Sequence, residues 1–598
     1  MAAAALAGPS RDEKCILFES SYGQRVPGST LAVPLWQASS GWKVSDDRWP
    51  PHAQCEGLSL SAARNEAEAV QLVVSPRKRL TGFVAEAGPL HGPGPSVIPA
   101  DYVDVLRVRY VPVTLQTDRA GAEAPWPDPL PSFRGPIDIE ARKNQPLWVR
   151  VRVPRDAAPG VYEGAIRLRA DGYNVAVPLR VTVYSFALPD TMSCKCAMGF
   201  TEESVFEYQN ISDAKQQREV VERYFENFSA HHVSPYNCAP LDQFTVQWRR
   251  IGQDEGLDID AADRALLRRH ALTPVFDWEA WDRAVARGVD RYRFSSYRMH
   301  GFPGLGHLES FERGSREYAL GFTAYFQALE SHLQEKGWLD VAFIYNIDEP
   351  EVEDYPSVLD LFSRLEQAAP DIPRLITEEP APGLYGGPDI WCPLPRSYDH
   401  AVAEERRAAG EDFWWYVCTG PKTPYLGLFI DHAGTDLRVW LWQTWKYGIN
   451  GILIWRANRW TDRRLFRDKP QNPYEDPMSW TKRFDRKWPY GNGDGRLIYP
   501  PEAAADVSPT PLVAGPVDSI RWEMIRDGIE DYEYFVILKQ LLEKKPDSLP
   551  ERERARFEEL LNVPDEITSS PTTYTKDPAP IEKHRARVAQ AIEELAAL

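Results

Sequence analysis

Two adjacent carboxylates, Asp348 and Glu349, close the apolar run Val341-Ala-Phe-Ile-Tyr-Asn-Ile and are followed at once by Pro350. A carboxylic acid can protonate a leaving oxygen while a second group meets an oxocarbenium-like centre, so paired acids suit cleavage of a glycosidic bond. The chain has three other Asp-Glu pairs, Asp12-Glu13, Asp254-Glu255 and Asp565-Glu566, all in polar surroundings that read as solvated. Only Asp348-Glu349 follows a buried-strand pattern. The competing reading is structural, because an acid at a strand-to-helix junction commonly caps the helix.

Adjacent acids fit poorly if they must flank a sugar from opposite sides. They fit better when the substrate supplies its own nucleophile. A 2-acetamido oxygen then attacks the anomeric carbon, one carboxylate polarises the acetamido N–H, and the other serves as acid and then base; substrate-assisted enzymes of this kind are a recognised departure from the two-carboxylate scheme. Two close carboxyls resist simultaneous ionisation, so one pKa is expected to rise, and Glu349 is expected to be the acid and Asp348 the ionised partner. Glu378-Glu379-Pro380, after the short apolar stretch Arg374-Leu-Ile-Thr377, is a second carboxylate source for an ordinary retaining or inverting mechanism.

Further candidates lie at predicted strand ends. Tyr416 is placed to donate to a developing oxyanion at the acetamido carbonyl. Trp391, Trp455 and Trp460 are candidates to stack or wall a sugar, with core packing as the alternative. Asn346, on the same side as Asp348 by alternation, is expected to point inward and orient a carboxylate. His231-His232 read as structural, and the seven cysteines have no C-x-x-C spacing, so no metal site is expected.

The elements that must position these residues follow from periodicity. A near-continuous apolar strand belongs to a parallel sheet covered on both faces, and such sheets carry chemistry at their carboxyl ends. Pro350 biases Glu349 toward extended backbone. Candidate strands near 194–199, 232–237, 291–297, 341–346, 373–377, 389–393, 412–418 and 451–456 alternate with helical patterns, the count and length of a (β/α)8 TIM-like barrel. One such helix carries Tyr318, Phe322, Tyr325, Phe326, Leu329 and Leu333 on one face and ends at Gly337. Ahead of the barrel, alternating segments such as 69–74, 147–153, 164–170 and 175–183 predict a β-sandwich, with the proline-rich 124–130 as a loop. The expected plan is a disordered tail over 1–14, a sandwich over 15–190, a barrel over 191–515 with a long loop after its last strand, and a helical extension over 516–598.

Composition narrows the partners. A formal charge of -18 disfavours a nucleic-acid backbone or an anionic membrane. No run of eighteen apolar residues predicts a membrane span. The first seven residues are too short and uncharged for a signal peptide, so the chain is expected to be soluble, either cytoplasmic or exported with its signal already removed.

Together the motifs resemble glycoside hydrolase family 123. The resemblance rests on Asn346-Ile-Asp-Glu-Pro350, on Trp442-Gln-Thr-Trp-Lys-Tyr-Gly448 leading to Gly451-Ile-Leu-Ile-Trp455, and on Ser519-Ile-Arg-Trp-Glu-Met-Ile-Arg-Asp-Gly-Ile-Glu-Asp-Tyr-Glu-Tyr534. Ala63-Arg-Asn-Glu66 before Gln71, Trp126-Pro-Asp-Pro-Leu130 and Pro159-Gly-Val-Tyr-Glu-Gly164 extend it through the N-terminal half. It implies a sandwich followed by a (β/α)8 barrel, and a retaining β-N-acetylgalactosaminidase working through an oxazolinium intermediate. By the same resemblance Asp348 steadies the acetamido group, Glu349 is acid and base, the partner is a glycan or glycoconjugate, and no cofactor is implied. Two alternatives stay open: a non-catalytic carbohydrate-binding or structural protein on the same fold, and a glycosidase for a sugar without the acetamido group.

Overall fold

The computed structural model describes residues 15–598 apart from 134, 251–271, 300–311, 313, 479–490 and 545–548. The expected tail at 1–14 and the pairs Asp12-Glu13 and Asp254-Glu255 lie outside the described residues.

The N-terminal region stacks two sheets on a shared core. One sheet orders Gln24–Arg25, Leu35–Ser39, Glu66–Val74, Gln145–Val153 and Val103–Arg107; the other runs from Ile137–Ile139 through Leu80–Ala87, Gly160–Ala170 and Tyr173–Ala187 to Leu58–Arg64. Alternation is why they stack. In Tyr173–Ala187 every second residue, Val177, Leu179, Val181 and Val183, is buried, while Pro178 and Arg180 between them face out. These side chains meet Val70, Leu72, Val149 and Val151 from the facing sheet. The stretch expected as a proline-rich loop departs from that expectation: Ala124–Pro127 pairs antiparallel with Tyr110–Val113. A two-stranded ribbon has free edges, so its prolines interrupt no central ladder.

Beyond residue 190, seven parallel strands among the described residues run around a nearly closed barrel: β1 (Lys195–Met198), β2 (Tyr297–Met299), β3 (Ala342–Tyr345), β4 (Arg374–Ile376), β5 (Ile390–Trp391), β6 (Asp412–Tyr416) and β7 (Gly451–Ile454). Hydrogen-bonded neighbours follow the order β1-β7-β6-β5-β4-β3-β2. The place expected for a strand at 232–237 is taken by a single parallel bridge, Met198 with Pro235. There the Tyr236 N–H donates to Met198 at 2.8 Å, and Arg298 N–H donates to the Tyr236 carbonyl at 3.1 Å, which links β1 to β2. A proline in that segment cannot donate to a ladder, which limits the pairing. The strand expected at 291–297 instead begins at Tyr297, after a turn through Arg287–Arg291.

The strand phases are read from the packing. Phe343, Tyr345, Leu375, Ile390, Cys392, Trp414, Tyr416 and Leu453 form one interior cluster. Ile344, Ile376, Trp391, Phe413, Trp415 and Ile452 belong to the larger core that includes the surrounding helices. The helix Arg316–Lys336 shows how local sequence sets an element. Ser315 Oγ accepts from the Tyr318 N–H at 3.1 Å at its start, and Gly337 at φ 71° ends it, as its apolar stripe predicts.

The helix Ile520–Lys544 is buried on every side from Ile520 to Phe535, charges included. Glu523 pairs with Arg150 at 2.6 Å and Arg526 at 2.9 Å, Asp531 with Arg438 at 2.6 Å and Arg585 at 3.0 Å. This network ties the N-terminal sheets and the terminal helix Ala579–Ala597 to the helix Asp436–Lys446 beside the barrel. Burial works against the charge on Glu523, yet Arg150 and Arg526 hold its carboxyl well below the usual range. Glu530, less well matched, is pushed up to about 7 by burial. No described helix is long and apolar enough to cross a membrane.

Candidate active site

Asp348 and Glu349 stand just past β3, at the carboxyl end of the barrel, and both are exposed. Neither caps a helix: the next turn begins after Glu351 and the next helix after Asp354, each without a side-chain cap. The pair therefore caps neither element.

Each carboxylate has its own hydroxyl donors. Asp348 Oδ1 accepts from the Tyr345 phenol at 2.6 Å and from Thr377 Oγ1 at 2.9 Å. Glu349 Oε1 accepts from the Tyr416 phenol. Thr377 serves both residues, because its oxygen also accepts the Glu349 N–H at 3.0 Å. Burial and Asp348 drive the Tyr345 phenol well above its usual range, and burial and Glu349 do the same for Tyr416. Both phenols therefore remain protonated donors at any physiological pH.

The backbone at Glu349 differs from the extended form that Pro350 favours. Its φ is +44°, a left-handed conformation that costs a non-glycine residue on the order of 1–3 kcal/mol. The Thr377 contact offsets part of that cost. Without the turn, consecutive residues would tend to point to opposite sides.

The remaining candidates divide. Tyr416 faces the interior and reaches Glu349. Trp455, half-buried beyond β7, donates its indole N–H to Asp494 at 2.9 Å, and burial raises that carboxyl to about 6. Asn346 is half-buried and its amide nitrogen has no hydrogen-bond partner among the described residues. The alternation expected to turn it inward does not reach it: β3 ends at Tyr345, and it is the odd-numbered residues that face the barrel. Trp391 and Trp460 are not brought to the mouth. Trp391 is fully buried between sheet and helices with its indole on Glu411 at 2.5 Å, and Trp460 is fully buried against Tyr208 with its indole on the Ile498 carbonyl at 2.7 Å. Both belong to the core.

Glu378, next to Thr377, is raised to about 7 by burial and by the charges of Glu379, Glu349 and Glu351. Tyr345 and Thr377 were not anticipated as site residues. The available signals were slight: a phenol three residues before Asp348, and the first polar residue after the strand Arg374–Ile376. His231 lies with Asp518 and Glu523 so that ligand atoms fall within 4.8 Å of one another. That cluster does not fit a metal, since the Arg150 guanidinium already pairs with both acids at 2.9 and 2.6 Å. His232 is pushed down to about 3 by burial and stays neutral.

The chain matches the catalytic domain of glycoside hydrolase 123 over residues 301–538 and the glycoside hydrolase 123 N-terminal domain over 46–170. No curated protein matches it. A solved family 123 glycoside hydrolase from Clostridium perfringens, studied for glycolipid glycan hydrolysis, is similar over 94% of this chain and 99% of that one, at 16% identity and a TM-score of 0.64. Two fainter likenesses carry no argument. These are β-glucuronidase 3 of Bacteroides uniformis (9% identity, 75% of this chain and 52% of that one, TM-score 0.22) and the GH20 exo-β-N-acetylglucosaminidase of Vibrio harveyi (8%, 62% and 82%, TM-score 0.17). With a two-sheet N-terminal region, a parallel barrel bearing paired acids at its carboxyl end, and both family domains matched in order, the chain belongs to glycoside hydrolase family 123.

Proposed function

We propose that the protein is a retaining glycosidase that releases terminal β-linked N-acetylgalactosamine by substrate-assisted catalysis. The observation that carries this reading is the separate tethering of two adjacent carboxylates, Asp348 by Tyr345 and Thr377, Glu349 by Tyr416. Two hydroxyl donors hold the Asp348 carboxylate in one orientation, aimed to accept the acetamido N–H. Its charge raises the nucleophilicity of the acetamido oxygen, which bonds to the anomeric carbon as the glycosidic C–O bond breaks. Glu349 gives its proton to the departing oxygen, then takes one from the water that opens the oxazolinium ring. Two displacements at one carbon leave its configuration retained.

The similar Clostridium perfringens enzyme, studied for glycolipid glycan hydrolysis, supports a glycoconjugate as the natural substrate class. Hydrolysis of a chromogenic β-N-acetylgalactosaminide tests the reading: wild-type activity no higher than that of Glu349→Gln defeats it. A thiazoline analogue of the cyclic intermediate should inhibit competitively. Glu378 favours a second reading, a glycosidase with no acetamido requirement, because burial and neighbouring acids, Glu349 among them, raise its carboxyl to about 7 and make it a second candidate proton donor. In that case the thiazoline has no effect and substrates without the acetamido group are cleaved.

A further inference from the structure

Around the barrel mouth stand two guanidiniums that the mechanism above does not use. Arg298 on β2 is half-buried; its Nε donates to the Tyr345 carbonyl at 2.9 Å. Its guanidinium carbon lies 4.8 Å from the Tyr345 ring and 5.3 Å from the Tyr236 ring. Its terminal nitrogens donate to no described residue. Arg456, two residues past β7, is also half-buried and has neither a hydrogen bond nor an ion pair among the described residues. Burial pushes its guanidinium below the usual range; Tyr236, Glu202 and Glu203 favour its charge, and Arg298 opposes it. Tyr236 is the shared neighbour, since Arg298, Asp348 and Arg456 all act on its phenol.

This differs from the buried charge network on the helix Ile520–Lys544. The buried guanidiniums of Arg150, Arg438, Arg526 and Arg585 each pair with two or more carboxylates. A desolvated cation without a partner is costly. Arg456 follows β7, whose end is tied to Gly199 beyond β1 by backbone hydrogen bonds of 2.9 and 2.7 Å, and Tyr236 joins β1 to β2, so the two guanidiniums arise from neighbouring strand ends; their planar donors without a hydrogen-bond partner among the described residues match the geometry of sulfate and carboxylate oxygens.

We propose that Arg298 and Arg456 form an oxyanion-recognising corner. It rests on the hexosaminidase reading and deepens it: the sugar held over Asp348 carries, on itself or on the adjoining unit, a sulfate ester or a carboxylate.

The test compares kcat/KM for three chromogenic β-N-acetylgalactosaminides: one unsubstituted, one sulfated on the sugar, one extended by a uronic acid. The wild type should prefer one anionic substrate by about tenfold or more, the scale of one charge-assisted contact. Whichever arm is preferred identifies the source of the oxyanion. Arg298→Gln and Arg456→Gln should each shrink the preference toward one, and Arg456→Lys, which keeps the charge, should retain part of it. Equal or better turnover of the unsubstituted substrate overturns the corner while leaving the hexosaminidase reading intact.

If no arm is cleaved, the hexosaminidase reading fails and the corner is judged alone, by calorimetric titration of the full chain with inorganic sulfate. Saturable binding that weakens by about tenfold in each Gln variant supports it. No saturable binding, or binding unchanged in both variants, overturns it.

Discussion

The carboxylates at the barrel mouth and those on the helix Ile520–Lys544 are the same chemical groups held by opposite means. Asp348 and Glu349 are exposed and held by neutral hydroxyls, Tyr345, Thr377 and Tyr416. Glu523, Asp527 and Asp531 are buried and held by the charges of Arg150, Arg438, Arg526 and Arg585. A hydroxyl donor orients a carboxylate without cancelling its charge, so the group can still exchange a proton or meet a cationic centre. A guanidinium locks the charge in place, where it joins segments distant in sequence. The long signature Ser519–Tyr534 is thus scaffold, and the short Asp348-Glu349 pair is the candidate for chemistry.

Substitutions at each region should separate these roles. Glu349→Gln should lower hydrolysis of substrates with poor leaving groups by about 10²–10⁴, with binding spared and activated leaving groups partly rescued. Asp348→Asn should impair both kinds of substrate, because cyclisation itself is slowed; equal rescue in the two variants would contradict the division of labour.

Arg438→Met should act on the other side of the comparison, costing about 3–5 kcal/mol in denaturant titration by stranding buried acids. Its kcat per folded molecule should equal that of the wild type, and a selective loss of kcat would place the network in the chemistry after all. Tyr416→Phe should cut kcat/KM by about tenfold, the scale of one hydrogen bond, with little change in the unfolding midpoint.

The smallest effect concerns Glu378. Its folded carboxyl titrates near 7 and an ordinary glutamate near 4.5, so the folded state binds the extra proton and stability falls as pH rises through that window. Glu378→Gln lacks the drop. The variant's melting temperature should therefore gain on the wild type between pH 4.5 and 7 and then hold a constant lead.

Much of the architecture was legible because periodicity is local. The stripe from Tyr318 to Leu333, the cap at Gly337 and the alternation in Tyr173–Ala187 each follow from residues a few positions apart. The reading failed where a neighbour from elsewhere intervened. The segment at 232–237 keeps only a bridge, and Trp391 and Trp460, placed at the mouth by position, are claimed by helices packed outside the sheet. Alternation located the strand Ala342–Tyr345 but assigned its inward phase to the wrong residues, since a strand covered on both faces is apolar throughout and carries no contrast from which to read the phase.

The sequence by itself determined that two acids end a buried parallel strand within a barrel, and that their motifs are those of a glycosidase family. Only the tertiary structure decided how those acids are held. Thr377, twenty-eight residues on from Glu349, accepts its N–H and donates to Asp348, and Tyr416, sixty-seven residues on, reaches its carboxylate. Contacts across a barrel depend on which strands become neighbours and on which faces turn inward, and neither is written in any local stretch of the chain.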